Sequence, residues 1–298
     1  MGFDLREKGI PTINHVTCTG CGLCIETCGS QVLVLEDGKV RAGDGVFLGC
    51  IACGHCAAVC PTGSITVTGR GMTSEDSCVL PPAFHRASAD QLESLLMARR
   101  SIRRFEEQEV DRDTIDRILA MTATAPMGLP PSEVGVVVFH GREKVQAFAA
   151  DACVAFERAA RLFSPVMLTL LRPFLGKNDY HTLRRFVGPL LKHLVKKHRE
   201  GIDEFTYDAP AALLFHYGPM ADQSDCQIAA TYAMLAVESF GLGSCMLGTT
   251  VVLNQDKAFK KKYGIPPRNN FGLGLVIGHP AVKFQRGIRR RLASVRFA

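Results

Sequence analysis

The sequence predicts a protein of two modules, in which a small cysteine-rich module precedes a larger domain of mixed helices and strands. Three observations support this division. Eight of the 12 cysteines fall in the stretch from Cys18 to Cys60. Residues 1–80 hold five Lys and Arg against eight Asp and Glu, whereas residues 81–298 hold 30 against 21. The length of 298 residues, 47 % of them hydrophobic, suits about two folded domains.

The sequence shows no signal for secretion or for a membrane span. Its first residues are charged where a secretory signal is apolar, and the longest charge-free run, 239–255, is interrupted by three glycines. We therefore expect a cytoplasmic protein, in which thiols are free to bind metal rather than to form disulfides. The basic residues are not interleaved with aromatic ones, which argues against nucleic-acid binding.

The eight cysteines form two copies of the pattern C-x2-C-x2-C-x3-C. Each cysteine of the second copy follows its counterpart in the first by the same interval, which is the distance in sequence from Cys18 to Cys50. Small residues between the ligands let the backbone curl around a cluster and aim N–H groups at its sulfurs. This spacing predicts two [4Fe–4S] clusters. The alternative is two zinc sites of four cysteines each, but zinc seldom uses this spacing. We expect His55, between two of the cysteines, to be a bystander.

Residues 10–70 resemble the bacterial two-cluster ferredoxins in these cysteine runs. The resemblance implies that the fourth cysteine of each run binds the other run's cluster. One cluster would then be held by Cys18, Cys21, Cys24 and Cys60, and the other by Cys50, Cys53, Cys56 and Cys28. The proline that follows the fourth cysteine in that family is present as Pro61 but is Gly29 in the first copy. That departure concerns a turn and not a ligand.

Local patterns predict the elements of the first module and its end. Residues 31–40 indicate a hairpin that turns at Asp37–Gly38, and residues 64–68 indicate a further strand. The stretch 70–88 is rich in Gly, Ser and Pro without periodicity, so we expect a linker there. The predicted domains are residues 1–75 and 76–298.

The second module begins with a helix, because Ser88 and Gln91 can form a capping box. Another helix should start at Asp111 or Asp113. Strands are indicated at 135–139, 211–216 and 271–277, and a helix at 225–240 is followed by a predicted glycine-rich turn at 241–248. This order indicates an α/β or α+β domain.

The stretch 183–199 predicts an amphipathic basic helix with a break at Gly188–Pro189. Its basic face could be solvated, could dock an acidic electron carrier or could lie on a membrane surface. It belongs to a predicted insertion at about 155–205, which would form a lid.

The run Arg99-Arg-Ser-Ile-Arg-Arg-Phe105 places four arginines and a serine at the end of a predicted helix. The basic residues could simply stabilise the helix dipole. Alternatively, the serine hydroxyl and the guanidinium groups suit a phosphate monoester dianion.

Residues 88–298 resemble the FMN-dependent nitroreductase family in four segments: 99–103, 125–132, 241–248, and 278–280 with 289–291. The resemblance implies an α+β fold that forms a homodimer with FMN at the subunit interface. The predicted fold class is therefore α+β, with an N-terminal ferredoxin-type 2[4Fe–4S] module followed by a nitroreductase-like FMN-binding α+β domain.

The resemblance also implies the residues that bind FMN. Phosphate and ribityl contacts would come from Arg99, Arg100 and Ser101, and contact with the pyrimidine edge of the flavin from Arg103. The backbone of Met246, Leu247 and Gly248 would lie beside the flavin ring, although Gly241, Gly243 and Gly248 could merely end a helix and turn a corner. Further contacts would come from Arg289 and Arg291 at the phosphate, and from Pro126, Met127 and Gly128 of the neighbouring subunit's loop. The family often has Ser and Asn where this chain has Met127, Gly128 and Pro130.

We expect Cys226 and Cys245 to be buried thiols, because the sequence offers no histidine that could act as a base for either.

We therefore expect an iron–sulfur flavoprotein oxidoreductase that passes electrons between two clusters and FMN. Its acceptor would be a nitroaromatic, a quinone or an activated alkene, and its donor NAD(P)H or a reduced acidic ferredoxin. The sequence offers no committed acid–base residue. Two alternatives stay open: a non-catalytic electron-transfer or redox-sensing protein, and another reductive reaction such as dehalogenation or flavin degradation.

Overall fold

The computed structural model describes residues 7–46, 48–129, 132–174 and 176–297. The chain forms two compact units. The first comprises Met1–Ala87 with Met127–Glu133, and the second comprises Ser88–Pro126 with Val134–Ala298. The boundary after Ala87 falls at the end of the predicted linker.

The first unit contains two small antiparallel sheets. Strand β1 (Ile10–Ile13) pairs with β4 (Ile65–Thr68), and β2 (Leu33–Glu36) pairs with β3 (Lys39–Ala42). The β2–β3 pair confirms the hairpin predicted from the sequence, and Asp37 and Gly38 adopt left-handed backbone angles at its turn. The predicted strand at 64–68 is also present, but its partner is the short strand β1, which the sequence patterns did not indicate.

Two short helices of the first unit follow the same local plan. Helices α1 (Leu23–Glu26) and α2 (His55–Val59) both begin after a left-handed glycine, Gly22 or Gly54. These two glycines occupy the same position in the two cysteine runs, so the repeat in sequence is also a repeat in structure. The small core between them contains Leu33, Val40, Ile65 and Val67 together with the cysteines Cys24 and Cys56.

The second unit is built on a four-stranded antiparallel sheet of order β5-β6-β8-β7. Its strands are β5 (Val134–His140), β6 (Ala211–Tyr217), β7 (Gly243–Leu247) and β8 (Asn270–Gly278). Three of them confirm the strands predicted at 135–139, 211–216 and 271–277. The prediction that 241–248 is only a turn is wrong, because most of that segment forms the edge strand β7.

A glycine of the edge strand makes room for a neighbouring segment. A Cβ atom at Gly243 would lie 2.5 Å from Ile102 Cγ1, so only glycine lets Ile102 pack here. Gly243 also pairs with Gly278 of β8. The edge strand thus lies between β8 on one side and the segment around Ile102 on the other.

Helices cover both faces of this sheet. The helices of this unit are α3 (Ala89–Ala98), α4 (Arg112–Thr122), α5 (Arg142–Leu162), α6 (Pro165–Leu171), α7 (Lys177–Thr182), α8 (Gly188–Arg199), α9 (Gln223–Ser239) and α10 (Lys257–Lys262). One core joins the sheet to α5 and α8, and the other joins it to α4 and α9. This arrangement confirms the α+β class. The capping box of Ser88 and Gln91 is also confirmed, and the cap of α4 is Asp111.

The basic stretch 183–199 is helical throughout. The predicted break at Gly188–Pro189 is wrong, because a π-helical segment (Leu183–Val187) leads directly into α8. Pro189 directly follows the π-helical segment, so the chain stays helical through a residue that donates no N–H. Part of the basic charge is paired, since Arg199 lies 2.9 Å from the Glu157 carboxylate. In the part of the chain that the structure describes, no helix is long and apolar enough to cross a membrane.

Candidate functional site

Four cysteines of the first unit line one open cavity with about 300 Å³ of empty space. They are Cys18, Cys21, Cys24 and Cys60, and the cavity wall also contains apolar residues of the core. Three of these cysteines come from the first run and one from the second. The structure therefore brings together across the repeat the same four thiols that the ferredoxin resemblance assigned to one cluster.

The other four cysteines of the two runs, Cys28, Cys50, Cys53 and Cys56, form a second group. Burial raises the pKa of the Cys56 thiol to about 11, and the nearby thiols of Cys50, Cys53 and Cys28 contribute to this rise. Cys28 thus lies among the cysteines of the second run. Four thiols that lie close together can lose their protons together only if a cationic centre neutralises the thiolates, as the iron of an iron–sulfur cluster does.

Backbone hydrogen bonds to sulfur repeat at matched positions of the two runs. The N–H of Ser64 donates to Cys60 Sγ over 3.3 Å, and the N–H of Val32 donates to Cys28 Sγ over 3.4 Å. Burial raises the pKa of the Cys60 thiol, but hydrogen bonds from Thr62 and Ser64 outweigh burial and the pKa is lowered overall. Such N–H···S bonds stabilise thiolate ligands.

The glycine that replaces the family's proline does not alter the turn. The carbonyl of Cys28 accepts a hydrogen bond from the N–H of Gln31, and the carbonyl of Cys60 accepts one from the N–H of Gly63. The two turns therefore match, although Gly29 stands in one and Pro61 in the other. His55 is exposed. Across residues 7–46, 48–129, 132–174 and 176–297, no three His, Cys, Asp or Glu side chains are arranged to hold a single metal ion.

In the second unit, the arginine–serine run lies along the edge strand β7. The N–H of Ile102 donates to the Ser244 carbonyl over 2.9 Å, and Ser101 pairs with Ser244 in a parallel bridge. This pairing places Ser101 and Arg103 beside the buried thiol of Cys245. Burial raises the pKa of Cys245, and the charge of Arg103 opposes that rise.

Arg100 has the clearest unmet hydrogen-bonding capacity in this run. Its Nη1 donates to the Arg99 carbonyl over 2.6 Å. Its Nε and Nη2 atoms are buried and have no partner among the described residues. Unpaired buried donors are costly, so two guanidinium nitrogens in this state fit a site that is completed by an anion such as a phosphate.

The carboxyl group of Glu238 faces the same arginines. Burial raises the pKa of Glu238, while Arg99 and Arg100 lower it. Glu238 therefore offsets part of the positive charge that an anion would meet.

The segment 246–248 offers backbone and space rather than side chains. Leu247 is buried in the core, and its carbonyl accepts a hydrogen bond from the Thr250 hydroxyl over 3.0 Å. Met246 is half-buried, and Gly248 is exposed. A Cβ atom at Gly248 would meet nothing within 4 Å, so a flat ligand has room to approach the backbone there.

The other predicted flavin contacts are distributed differently. The C-terminal segment returns to the arginine run, since a Cβ at Gly287 would lie 3.5 Å from Arg100 Nη2. Arg289 and Arg291 follow in that segment and are exposed. Pro126 belongs to the second unit, whereas Met127 and Gly128 belong to the first, and Pro130 lies outside the described residues.

Sequence reasoning missed Tyr207. The Arg103 guanidinium carbon lies 5.9 Å from the centre of the Tyr207 ring. Tyr207 and Asp208 both adopt left-handed backbone angles, which are unfavourable for residues other than glycine. Asp203 holds this turn by accepting hydrogen bonds from the backbone N–H groups of Phe205 and Thr206. No local sequence pattern indicates such a turn.

Comparison with known proteins shows which family this architecture represents. Residues 96–279 match the nitroreductase family. The chain belongs to the nitroreductase family. Residues 17–64 match the 4Fe-4S dicluster domain, so this member carries an iron–sulfur domain before its nitroreductase domain. No curated protein matches the chain.

One solved nitroreductase structure shares the fold at low sequence identity, and a second is reported with it. A nitroreductase with bound FMN from Bacteroides fragilis is 18 % identical, covering 70 % of this chain and 98 % of its own, with a TM-score of 0.51. An FMN-dependent nitroreductase from Clostridium difficile is 16 % identical, covering 70 % of this chain and 100 % of its own, with a TM-score of 0.49. The family matches confirm the predicted family and fold class. They also confirm the prediction that the chain is an oxidoreductase of this family with an N-terminal 4Fe-4S domain.

Proposed function

We propose that this protein is an iron–sulfur flavoprotein oxidoreductase that passes electrons between two [4Fe–4S] clusters and FMN to reduce a small organic acceptor. The observation that carries the proposal is the presence, in one chain, of two groups of four thiols and of an arginine with unpaired buried donors beside the edge strand β7. When bound, the clusters supply single electrons, and FMN exchanges single electrons for a hydride equivalent.

In the first unit, each group of four cysteines would hold one cluster as thiolates. The N–H groups of Ser64 and Val32 stabilise Cys60 and Cys28 in that form. The apolar residues of the small core shield the buried cysteines Cys24 and Cys56 from water.

In the second unit, Arg99, Arg100 and Ser101 would bind the FMN phosphate and ribityl chain. Arg103 would bind the pyrimidine edge, where a fixed positive charge stabilises the negative charge of the reduced flavin. Its contact with the Tyr207 ring orients the guanidinium. Gly248 leaves the space in which the flavin ring can approach the backbone.

The rest of the predicted site depends on a second subunit. We propose a homodimer in which Pro126, Met127 and Gly128 of one subunit approach the flavin of the other.

Arg289 and Arg291 would add positive charge near the phosphate. NAD(P)H or a reduced ferredoxin would be the donor, and a nitroaromatic, quinone or activated alkene the acceptor.

The first test is the cofactor content of anaerobically purified protein. We expect about eight iron atoms, eight sulfides and one FMN per chain. Cys21→Ser should lose part of the iron and keep FMN, whereas the matched control Cys78→Ser, an exposed cysteine outside both runs, should lose neither. A zinc-loaded, colourless protein would overturn the proposal.

The second test is turnover by the loaded protein. NADH, NADPH and reduced ferredoxin are supplied separately, and flavin bleaching identifies the donor. A nitroaromatic, a quinone and an activated alkene then compete for oxidation of the bleached protein. If the flavin and clusters exchange electrons but no small oxidant turns over, the protein is an electron carrier or redox sensor instead.

A further inference from the structure

The two halves of the cysteine repeat differ in charge at one matched position. Gly38 and Arg70 are separated by the same interval as Cys18 and Cys50, and both adopt left-handed backbone angles, φ 71° and 52°. The first copy uses glycine, the residue for which this conformation is easiest. The second copy places an arginine in it, at a cost in backbone strain.

Arg70 is buried and held firmly. Its side chain is 1 % exposed. Its backbone N–H donates to Glu7 Oε1 over 2.8 Å, and its Nη1 donates to the Glu7 carbonyl over 2.8 Å. Arginine is almost never fully buried unless its polar groups have partners.

The backbone next to Arg70 connects it to Cys50 of the second cysteine group. A Cβ at Gly69, the residue before it, would lie 3.0 Å from the Lys8 carbonyl. Gly9, the residue after Lys8, donates its N–H to the Cys50 carbonyl over 2.8 Å. A Cβ atom at Gly9 would lie 2.8 Å from Cys50 Sγ.

The other charges near the cysteines are exposed. Lys39 donates to the Cys18 carbonyl over 3.3 Å in the first group, while Lys8 and His55 lie near the second. Glu7 opposes Arg70 from its own contact. Water and salt screen exposed charges, whereas a buried guanidinium acts through a medium of low dielectric constant. The buried guanidinium of Arg70 is thus the charge by which the second half of the repeat differs from the first at this matched position.

We propose that Arg70 makes the cluster held by Cys28, Cys50, Cys53 and Cys56 the more easily reduced of the two. Reduction adds one negative charge to a cluster, and a fixed buried cation stabilises that charge. One electron moves between the clusters without making or breaking a bond, and the donor is the one that reduces the protein. An electron in the first unit therefore rests at the second group. This inference rests on the proposed presence of two clusters.

The test is an anaerobic redox titration of the full-length protein followed by electron paramagnetic resonance. Cys53→Ser changes the signal of the cluster it ligates and so identifies it. Arg70→Gln should reduce the equilibrium preference for the second cluster at least tenfold, which is about 59 mV for a one-electron couple. Arg70→Lys should retain most of the preference. Lys39→Gln, an exposed control, should change it by less than threefold.

A second variant covers the case in which Arg70→Gln does not fold. Glu7→Gln removes the opposing charge while keeping an oxygen that can accept from the Arg70 N–H, and it should increase the preference. Equal shifts of both potentials, or no shift in iron-replete Arg70→Gln and Glu7→Gln, would overturn the inference. Protein without iron would instead contradict the proposed function, so the two failures are distinguishable.

Discussion

Replacing Arg100 by methionine separates cofactor binding from folding. In the cofactor-free protein, Arg100 Nε and Nη2 are buried without a partner among the described residues. Methionine keeps much of the side-chain volume and removes both donors. The variant should therefore fold at least as well as the parent while binding FMN less tightly.

The size of the loss follows from the contacts. A hydrogen bond to a charged group contributes about 1.5–3 kcal/mol, and we take about 3 kcal/mol for the pair because Arg100 is only half-buried. At about 1.4 kcal/mol per tenfold, the Kd for FMN should rise by about a hundredfold. Without FMN, removing the unpaired donors should raise the free energy of unfolding by about 1 kcal/mol.

The assay is an equilibrium titration of cofactor-free protein with FMN, followed by flavin fluorescence, with thermal unfolding measured on the same samples. Arg104→Met is the matched control, because Arg104 lies in the same run, is exposed and carries the same charge. It should change the Kd by about fivefold at most, the size of a surface charge effect. Equal losses in both variants would show a general charge effect, and an unchanged Kd in Arg100→Met would refute the assignment.

Three further predictions concern packing, metal and pH. Gly243→Ala should destabilise the second unit by about 1–3 kcal/mol in urea unfolding and should weaken FMN binding, because Ile102 must move. Gly248→Ala should weaken FMN binding without destabilising the unit. An unchanged affinity of Gly248→Ala for FMN would contradict the predicted flavin position. Iron chelation should speed hydrogen exchange in residues 7–72 but not in the second unit, whereas uniform protection would contradict a structural role for the clusters. Burial lowers the pKa of His216 below 6.5, so stability should fall as pH drops through 6.5, and His216→Gln should show a smaller difference in melting temperature between pH 8 and 5.5.

Local signals in the sequence predicted the elements that depend on neighbouring residues. The Asp37–Gly38 turn, the capping box at Ser88 and the cap at Asp111 each act within a few residues. The strands β5, β6 and β8 were visible as apolar runs. The cysteine intervals were equally legible, because a cluster requires several thiols at short spacing.

Elements that depend on distant partners were not predictable in this way. Strand β1 precedes both cysteine runs and pairs with β4, which follows them, and it is too short to show a pattern. Strand β7 is rich in small residues, and its Gly243 is explained by Ile102, which packs against it from a distant part of the chain. The helical path through Gly188–Pro189 likewise depends on packing that overrides a local break signal.

The sequence by itself determined the two modules, the family resemblances and the identity of the candidate ligands, since these depend on residue type and interval. Only the tertiary structure decided which four thiols share a cavity and that the arginine run lies along β7. It alone placed Gly69, which precedes Arg70, against Gly9 and thereby near Cys50, and it placed Tyr207 beside Arg103. These juxtapositions join segments far apart in the chain, and their energies arise from burial and charge that exist only once the chain has folded.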